Sequence, residues 1–266
     1  MWQALRNELV GAGVEIVTVS LELDGPEASR PFIEAAHPEH PSLLDPTHQL
    51  DALFGVVNIP NVIWIDEGGV IVRPPEPGWP GRSEYPESMR KMLAERARQA
   101  AEAEAAAARS DSAAAKPVVP NLANILRGGQ DRGAYPDAIR DWVQHGTQSR
   151  YAMTPDEVIA ASQPRGIDTS RAAAHFELAN HLWRTGNRDA AIRNFNECHR
   201  LQPDNWTYKR QAWSLIGNEQ AASGGELGRF NQVPLPGEES DWPFASNFNA
   251  DVAALQPGQY YPNTMI

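Results

Sequence analysis

Three histidines, His37, His40 and His48, fall within twelve residues, and imidazoles at short spacing are a common start of a metal site. Two of them sit in His37-Pro38-Glu39-His40-Pro41, where two prolines forbid both helix and ladder. No carboxylate spacing completes a recognised ligand set, so neither metal nor cofactor is expected, and a metal enzyme built on these histidines is the weakest reading. The sole cysteine, Cys198, excludes an internal disulfide, a CxxC pair and a cysteine-rich zinc site. His175 and His181 are six apart and do not share a helix face. No nucleophile elbow, phosphate loop or GxGxxG occurs. Residue types alone therefore assign no catalytic group.

Composition narrows the classes further. A net charge of −11 argues against non-specific nucleic-acid binding. Trp206–Trp213 (WTYKRQAW) mixes aromatic and basic side chains that could stack on a base, but the acidic balance favours packed aromatics and solvated cations. No apolar run approaches the roughly 18–20 residues of a membrane span. The opening MWQALRNELVGAG lacks the basic start and apolar run of a signal peptide. A cytoplasmic location is expected, or an extracytoplasmic one if an upstream signal is missing. Residues 1–85 hold thirteen acidic and four basic side chains, 86–216 fifteen and eighteen, and 217–266 six and one. Three regions of different character follow.

The first region reads as α/β. Trp2, Leu5 and Leu9 have helical spacing, stopped by Gly11 and Gly13. Glu15–Leu21 (EIVTVSL) is β-branched and apolar, a buried strand. Pro26 opens a second helix with Phe32, Ile33 and Ala36 on its inner face. Thr47–Phe54 is a short helix. Val62–Ile65 and Val70–Val72 form a hairpin around Asp66-Glu67-Gly68-Gly69. A helix rich in Ala, Glu and Arg then runs from Pro86 towards Arg109.

A strand ending in Ser20-Leu21, a helix, the helix end Leu53-Phe54-Gly55-Val56, then Val57-Asn58-Ile59-Pro60-Asn61 and this hairpin resemble the C-terminal two-thirds of a thioredoxin-like domain. The ResA/TlpA-type thiol-disulfide oxidoreductases and the redoxins are the most similar. The resemblance implies an incomplete thioredoxin-like α/β domain over residues 1–99. It also implies a cis Ile59–Pro60 bond, with Ile59 and Pro60 holding the substrate segment; a proline lowers the cost of cis to about 0.5–1 kcal/mol. The family's first strand and WCxxC motif would precede the Trp2 helix and are not in the sequence. Thiol-disulfide exchange needs a thiolate, so the redox motif is missing. The Glu15–Leu21 strand is then expected to have no partner beside it, since isolated pieces of sheet are marginal in water. A truncated reading frame is expected, for example at a selenocysteine codon misread as a stop, with restart at Met1. The other possibility is that a different segment fills the gap.

Residues 100–115 hold ten alanines and no apolar stripe, so 100–120 reads as a helix tail and linker. Residues 121–217 read as an all-α domain, with helices at Asn121–Arg127 and Pro136–His145 and a start signal at Thr154-Pro155-Asp156-Glu157. Within it, 170–204 resembles a tetratricopeptide repeat through Ala191, Phe195, Cys198, Leu201 and Pro203. A helix from Trp206 to Gly217 follows. Cys198 takes the small, buried position of the pattern. Repeat pairs often present a peptide groove, which here would offer Phe176, Asn180, Trp183, Arg184 and Arg210; Phe176 and Trp183 could equally be core. The aromatics of 218–266 suggest an irregular, docked tail.

The expected function is a thioredoxin-like thiol-disulfide, or selenol or peroxide, oxidoreductase whose catalytic motif lies outside this chain. Its partner would be a thiol or disulfide protein, or a peptide in the helical groove. The alternative is a non-catalytic interaction scaffold.

Overall fold

Helix α1 (Trp2–Leu9) buries Leu5 and Leu9, the face its spacing predicts, and a 3-10 turn at Val10–Ala12 ends it, with Gly13 at φ +85°. The computed structural model describes residues 2–80, 98, 134–162, 165–221, 239–256 and 259–261. Apart from residue 98, which is helical, the expected helix from Pro86 to Arg109 lies outside the described residues, as do the linker, Asn121–Arg127 and the tail over 222–238.

Strand β1 (Thr18–Ser20) is not left alone. It pairs in parallel with β2 (Ser42–Leu44), Thr18 opposite Ser42 and Ser20 opposite Leu44. Helix α2 (Pro26–Ala36) is the crossover that parallel pairing demands. The expected lack of a partner for β1 is thus corrected. Three residues following a double-proline loop are too few to show alternation, which hid β2 from the sequence. The inner face of α2 also differs. Phe32 is 62% exposed, and buried Ser29 meets β1 through a hydroxyl pair with Ser20 at 2.8 Å.

Helix α3 (Gln49–Phe54) begins where the Asp45 carboxylate accepts the Gln49 and Leu50 N–H groups, and it stops at Gly55, φ +82°. Strands β3 (Asn61–Ile65) and β4 (Ile71–Pro77) form the antiparallel hairpin. The Asp66 carboxylate closes its turn by accepting from the Gly68 and Val70 N–H groups. The hairpin packs under α4 (Ala134–His145): Trp64 Nε1 donates to the Tyr135 hydroxyl at 3.0 Å, and Trp142 stacks on Trp64. Leu5, Leu9, Val72 and Ala138 complete this core. The sequence grouped α4 with the helical domain; its packing is with the sheet. Gly78 is required here, because a Cβ would come within 2.7 Å of the Tyr135 ring.

Helix α5 (Pro155–Ser162) starts with a reciprocal cap between Thr154 and Glu157. Helices α6 (Ile167–Arg184) and α7 (Arg188–Leu201) form a hairpin through Gly186, φ +84°. Ala172, Phe176 and Ala179 face Ala191, Phe195 and Cys198 in a second core. Helix α8 (Trp206–Ala221) joins it with Ala212 and Trp213. The tail closes it with a 3-10 turn at Glu239–Asp241, helix α9 (Phe248–Ala253) and Tyr260. Among the described residues, no helix is long and apolar enough to cross a membrane.

Candidate functional site

After Gly55 the chain leaves α3 and meets the helical unit. The Val57 carbonyl accepts from the Trp206 N–H at 2.6 Å and the Thr207 N–H at 3.1 Å. These are orphan donors at the start of α8, so the loop satisfies a helix end. Buried Asn58 donates through Nδ2 to the Tyr260 carbonyl at 2.6 Å, and its Oδ1 accepts from the Ile59 N–H. The Tyr261 hydroxyl donates to the Ile59 carbonyl at 3.1 Å, and Trp79 meets the Tyr261 ring edge to face. The Ile59–Pro60 bond is cis. The Ile59 side chain is 43% exposed, and Pro60 is exposed as well. An anchored loop thus presents an apolar tip, and the Ile59 carbonyl keeps a second lone pair.

The three histidines part company. His37 is exposed at φ +44° beyond α2, and His40 Nδ1 donates to the Pro41 carbonyl. His48 is buried, with Nδ1 2.7 Å from Asp51 Oδ2 and Nε2 2.8 Å from the Leu21 carbonyl. Both ring nitrogens face oxygen, so Nε2 carries a hydrogen and one proton lies between Nδ1 and Oδ2. The pair is therefore neutral as a unit. Burial raises the Asp51 carboxyl above its ordinary range, opposed by the His48 hydrogen bond. His48 also stands edge-on to Phe176, which places the pair beneath the helical core. Among the described residues no three His, Cys, Asp or Glu side chains converge to hold a metal. The His-x-x-Asp spacing was the available sequence signal for this pair, and the metal question obscured it.

The five expected groove residues do not line one open groove. Phe176 is 1% exposed and stacks on Tyr208 at 4.2 Å, and Asn180 is buried. Trp183 is half-buried under the Arg188 guanidinium, 3.6 Å from the ring centroid. Arg184 is exposed. Arg210 donates to the Tyr260 hydroxyl and lies over Phe248. His48 from the first unit and Tyr208 of α8 close over Phe176. Cys198 is fully buried, and burial pushes its thiol well above the ordinary range.

An open space does lie at the junction. A cleft of about 450 Å³ runs between the end of α3, the start of α6 and the α7–α8 turn. Arg165 bridges its mouth by donating to the Ala52 and Leu53 carbonyls. Asp51 and Tyr208 sit at its buried end, and Thr169, Ser170 and Gln202 lie nearer solvent. No sequence motif marks this cleft, because its walls come from three separate stretches. Set beside known protein families, curated proteins and solved structures, the chain matches none of them.

Proposed function

We propose that this chain is the partner-selecting part of a thioredoxin-like oxidoreductase of the redoxin type, fused to a tetratricopeptide-like helical domain. In this reading the Ile59–Pro60 loop receives an extended segment of the substrate. The helical domain and its tail form the wall beside that loop and choose the partner. The observation that carries the reading is the joint anchoring of the loop: Val57 on the start of α8, Asn58 and Ile59 on Tyr260 and Tyr261. A helical domain that served only as a spacer would have no need to hold this loop. The attacking thiol or selenol comes from polypeptide other than these 266 residues. Cys198 cannot supply it, since the nucleophile must be an accessible thiolate and this thiol is buried and protonated.

The test is the intact mass of the polypeptide isolated from its source, together with its reduction of a disulfide substrate and of hydrogen peroxide. The expected result is a mass above 29.2 kDa, with a CxxC or selenocysteine in the extra sequence and measurable turnover. A mass of 29.2 kDa with no turnover overturns it. The buried thiol favours a second reading for that outcome, a non-catalytic scaffold that binds a protein partner at the same loop.

A further inference from the structure

We propose that the outer edge of β1 docks an extended, basic segment of a partner protein, which adds beside it as a third strand. This surface is separate from the Ile59–Pro60 loop and does not depend on a redox role for that loop. The polarity of the β1–β2 sheet is the first sign. Val19 lies opposite Leu43 in the parallel register, so the two share one face. On the other face the Thr18 and Ser42 hydroxyls pair at 3.1 Å, and Ser20 meets buried Ser29 of α2. Helix α2 therefore lies on the hydroxyl face. The apolar face is the open one: Val17 is 53% exposed, Val19 37% and Leu43 48%. Parallel strands are ordinarily covered on both faces, so this side has the character of a surface that receives something.

The main chain supplies the second sign. The Thr18 N–H donates to the Pro41 carbonyl, and the Ser20 carbonyl accepts from the Asp45 N–H, so Thr18 and Ser20 turn their peptide groups towards β2. Alternation along the strand sends the N–H and C=O of Val19 to the opposite edge. Such an edge templates another strand unless a charge or a proline blunts it. Ile16–Leu21 contains neither. Charge then selects the occupant. Glu15 and Glu22 flank β1 at its two ends, Glu39 precedes β2, and the single Arg6 is shared between Glu15 and Glu39. Two copies pairing antiparallel through β1 would bring Glu15 of each towards Glu22 of the other, which like charges oppose. A partner strand that alternates Val or Ile with Ser or Thr and ends in Lys or Arg meets the same edge with opposite charge. It also makes three strands of a two-stranded sheet that is marginal alone.

The experiment is fluorescence anisotropy of a labelled peptide, Lys-Val-Thr-Val-Ser-Val-Lys, titrated with the full 266-residue chain. The expected result is saturable binding with a Kd of about 100 μM. Replacing both peptide lysines by glutamate, or N-methylating the inner amides to remove the ladder donors, should each weaken binding about tenfold or more. Val19→Lys sets a like charge on the open face and should also cost about tenfold; Val19 is exposed, so the fold tolerates it. Glu22→Lys should narrow the preference for the basic peptide over the acidic one. Equal binding of the acidic or the N-methylated peptide overturns the proposal, because strand addition between opposite charges then plays no part. Unchanged binding in Val19→Lys, or unchanged preference in Glu22→Lys, overturns it by placing the contact elsewhere. No binding up to about 1 mM overturns it as well, and if sedimentation then shows a dimer, the occupant of the edge is a second copy.

Discussion

At the scale of single residues, burial decides the chemistry. His199 lies against Trp213 and Phe244 with no hydrogen-bond partner at Nε2. Burial first, then the Lys209 charge, lower its pKa from 6.5 to about 3. An imidazole so depressed binds its proton more weakly in the folded chain than in the unfolded one. Its contribution to stability is present above pH 6.5 and is lost as pH falls towards 3. The unfolding free energy should therefore drop by about 4 kcal/mol across that window from this group alone. His199→Phe should flatten the acid limb by one proton, as read in urea melts at pH 7, 5 and 4. An unchanged limb would show that His199 is not the titrating group. Cys198 makes a second prediction. Its buried, protonated thiol should resist a maleimide or iodoacetamide in the native protein and react once in about 6 M guanidinium. Rapid native labelling would contradict the placement of α7 against α6.

At the scale of elements, an ion pair backs the packing of the tail helix. Lys209 Nζ lies 2.6 Å from Asp251 Oδ2, and both side chains are largely buried. Ser246 also donates to Asp251. Asp251→Asn leaves a buried ammonium without its counter-charge and should cost about 3 kcal/mol. The pair Lys209→Met with Asp251→Leu should recover most of that loss, because two apolar groups leave no charge unpaired. A double-mutant cycle by chemical denaturation reads both values. Equal loss in the single and double variants would mean that the salt bridge is not what holds α9.

How far these elements were legible follows from the range of the forces that make them. α1, the β3–β4 hairpin and the α6–α7 pair were readable because glycine stops, the Asp66 turn and apolar spacing act within a few residues. β2 was not, since its pairing to β1 depends on a crossover of more than twenty residues. The placement of α4 escaped for the same reason: its amphipathic face fits either core, and only Trp64 and Tyr135, far apart in sequence, decide which. The candidate site divides likewise. The Ile59–Pro60 loop was visible in a local motif. The His48–Asp51 pair was half visible in its spacing, whereas its burial under Phe176 required the tertiary fold. Phe176 and Asn180 were offered to a groove because nothing local shows that His48 and Tyr208 close over Phe176.

At the scale of the whole molecule, the two cores are fastened at several independent points. Trp206 and Thr207 donate to Val57, Asn58 donates to Tyr260, Arg165 donates to the end of α3, and His48 meets Phe176. Each fastening joins a stretch before residue 60 to one after residue 160. An α/β unit with two short sheets has little independent stability, so the helical unit and tail should supply much of it. Calorimetry should accordingly show one cooperative transition, with neither core melting first. Tyr260 is the sharpest probe of that coupling. Its ring packs against Trp206 and Phe248, its carbonyl accepts from Asn58, and its hydroxyl accepts from Arg210. Tyr260→Ala should cost about 3 kcal/mol, the typical loss for a truncated buried aromatic. It should also speed amide exchange in the Val57–Asn61 loop, whose Asn58 lies 202 residues away in sequence. If the loop amides stay protected while stability falls, the tail supports only the helical core, and the joint anchoring of the loop loses its mechanical basis. If two transitions appear in the native protein, the fastenings are too weak to make one folding unit. The helical domain would then act on the loop by proximity alone.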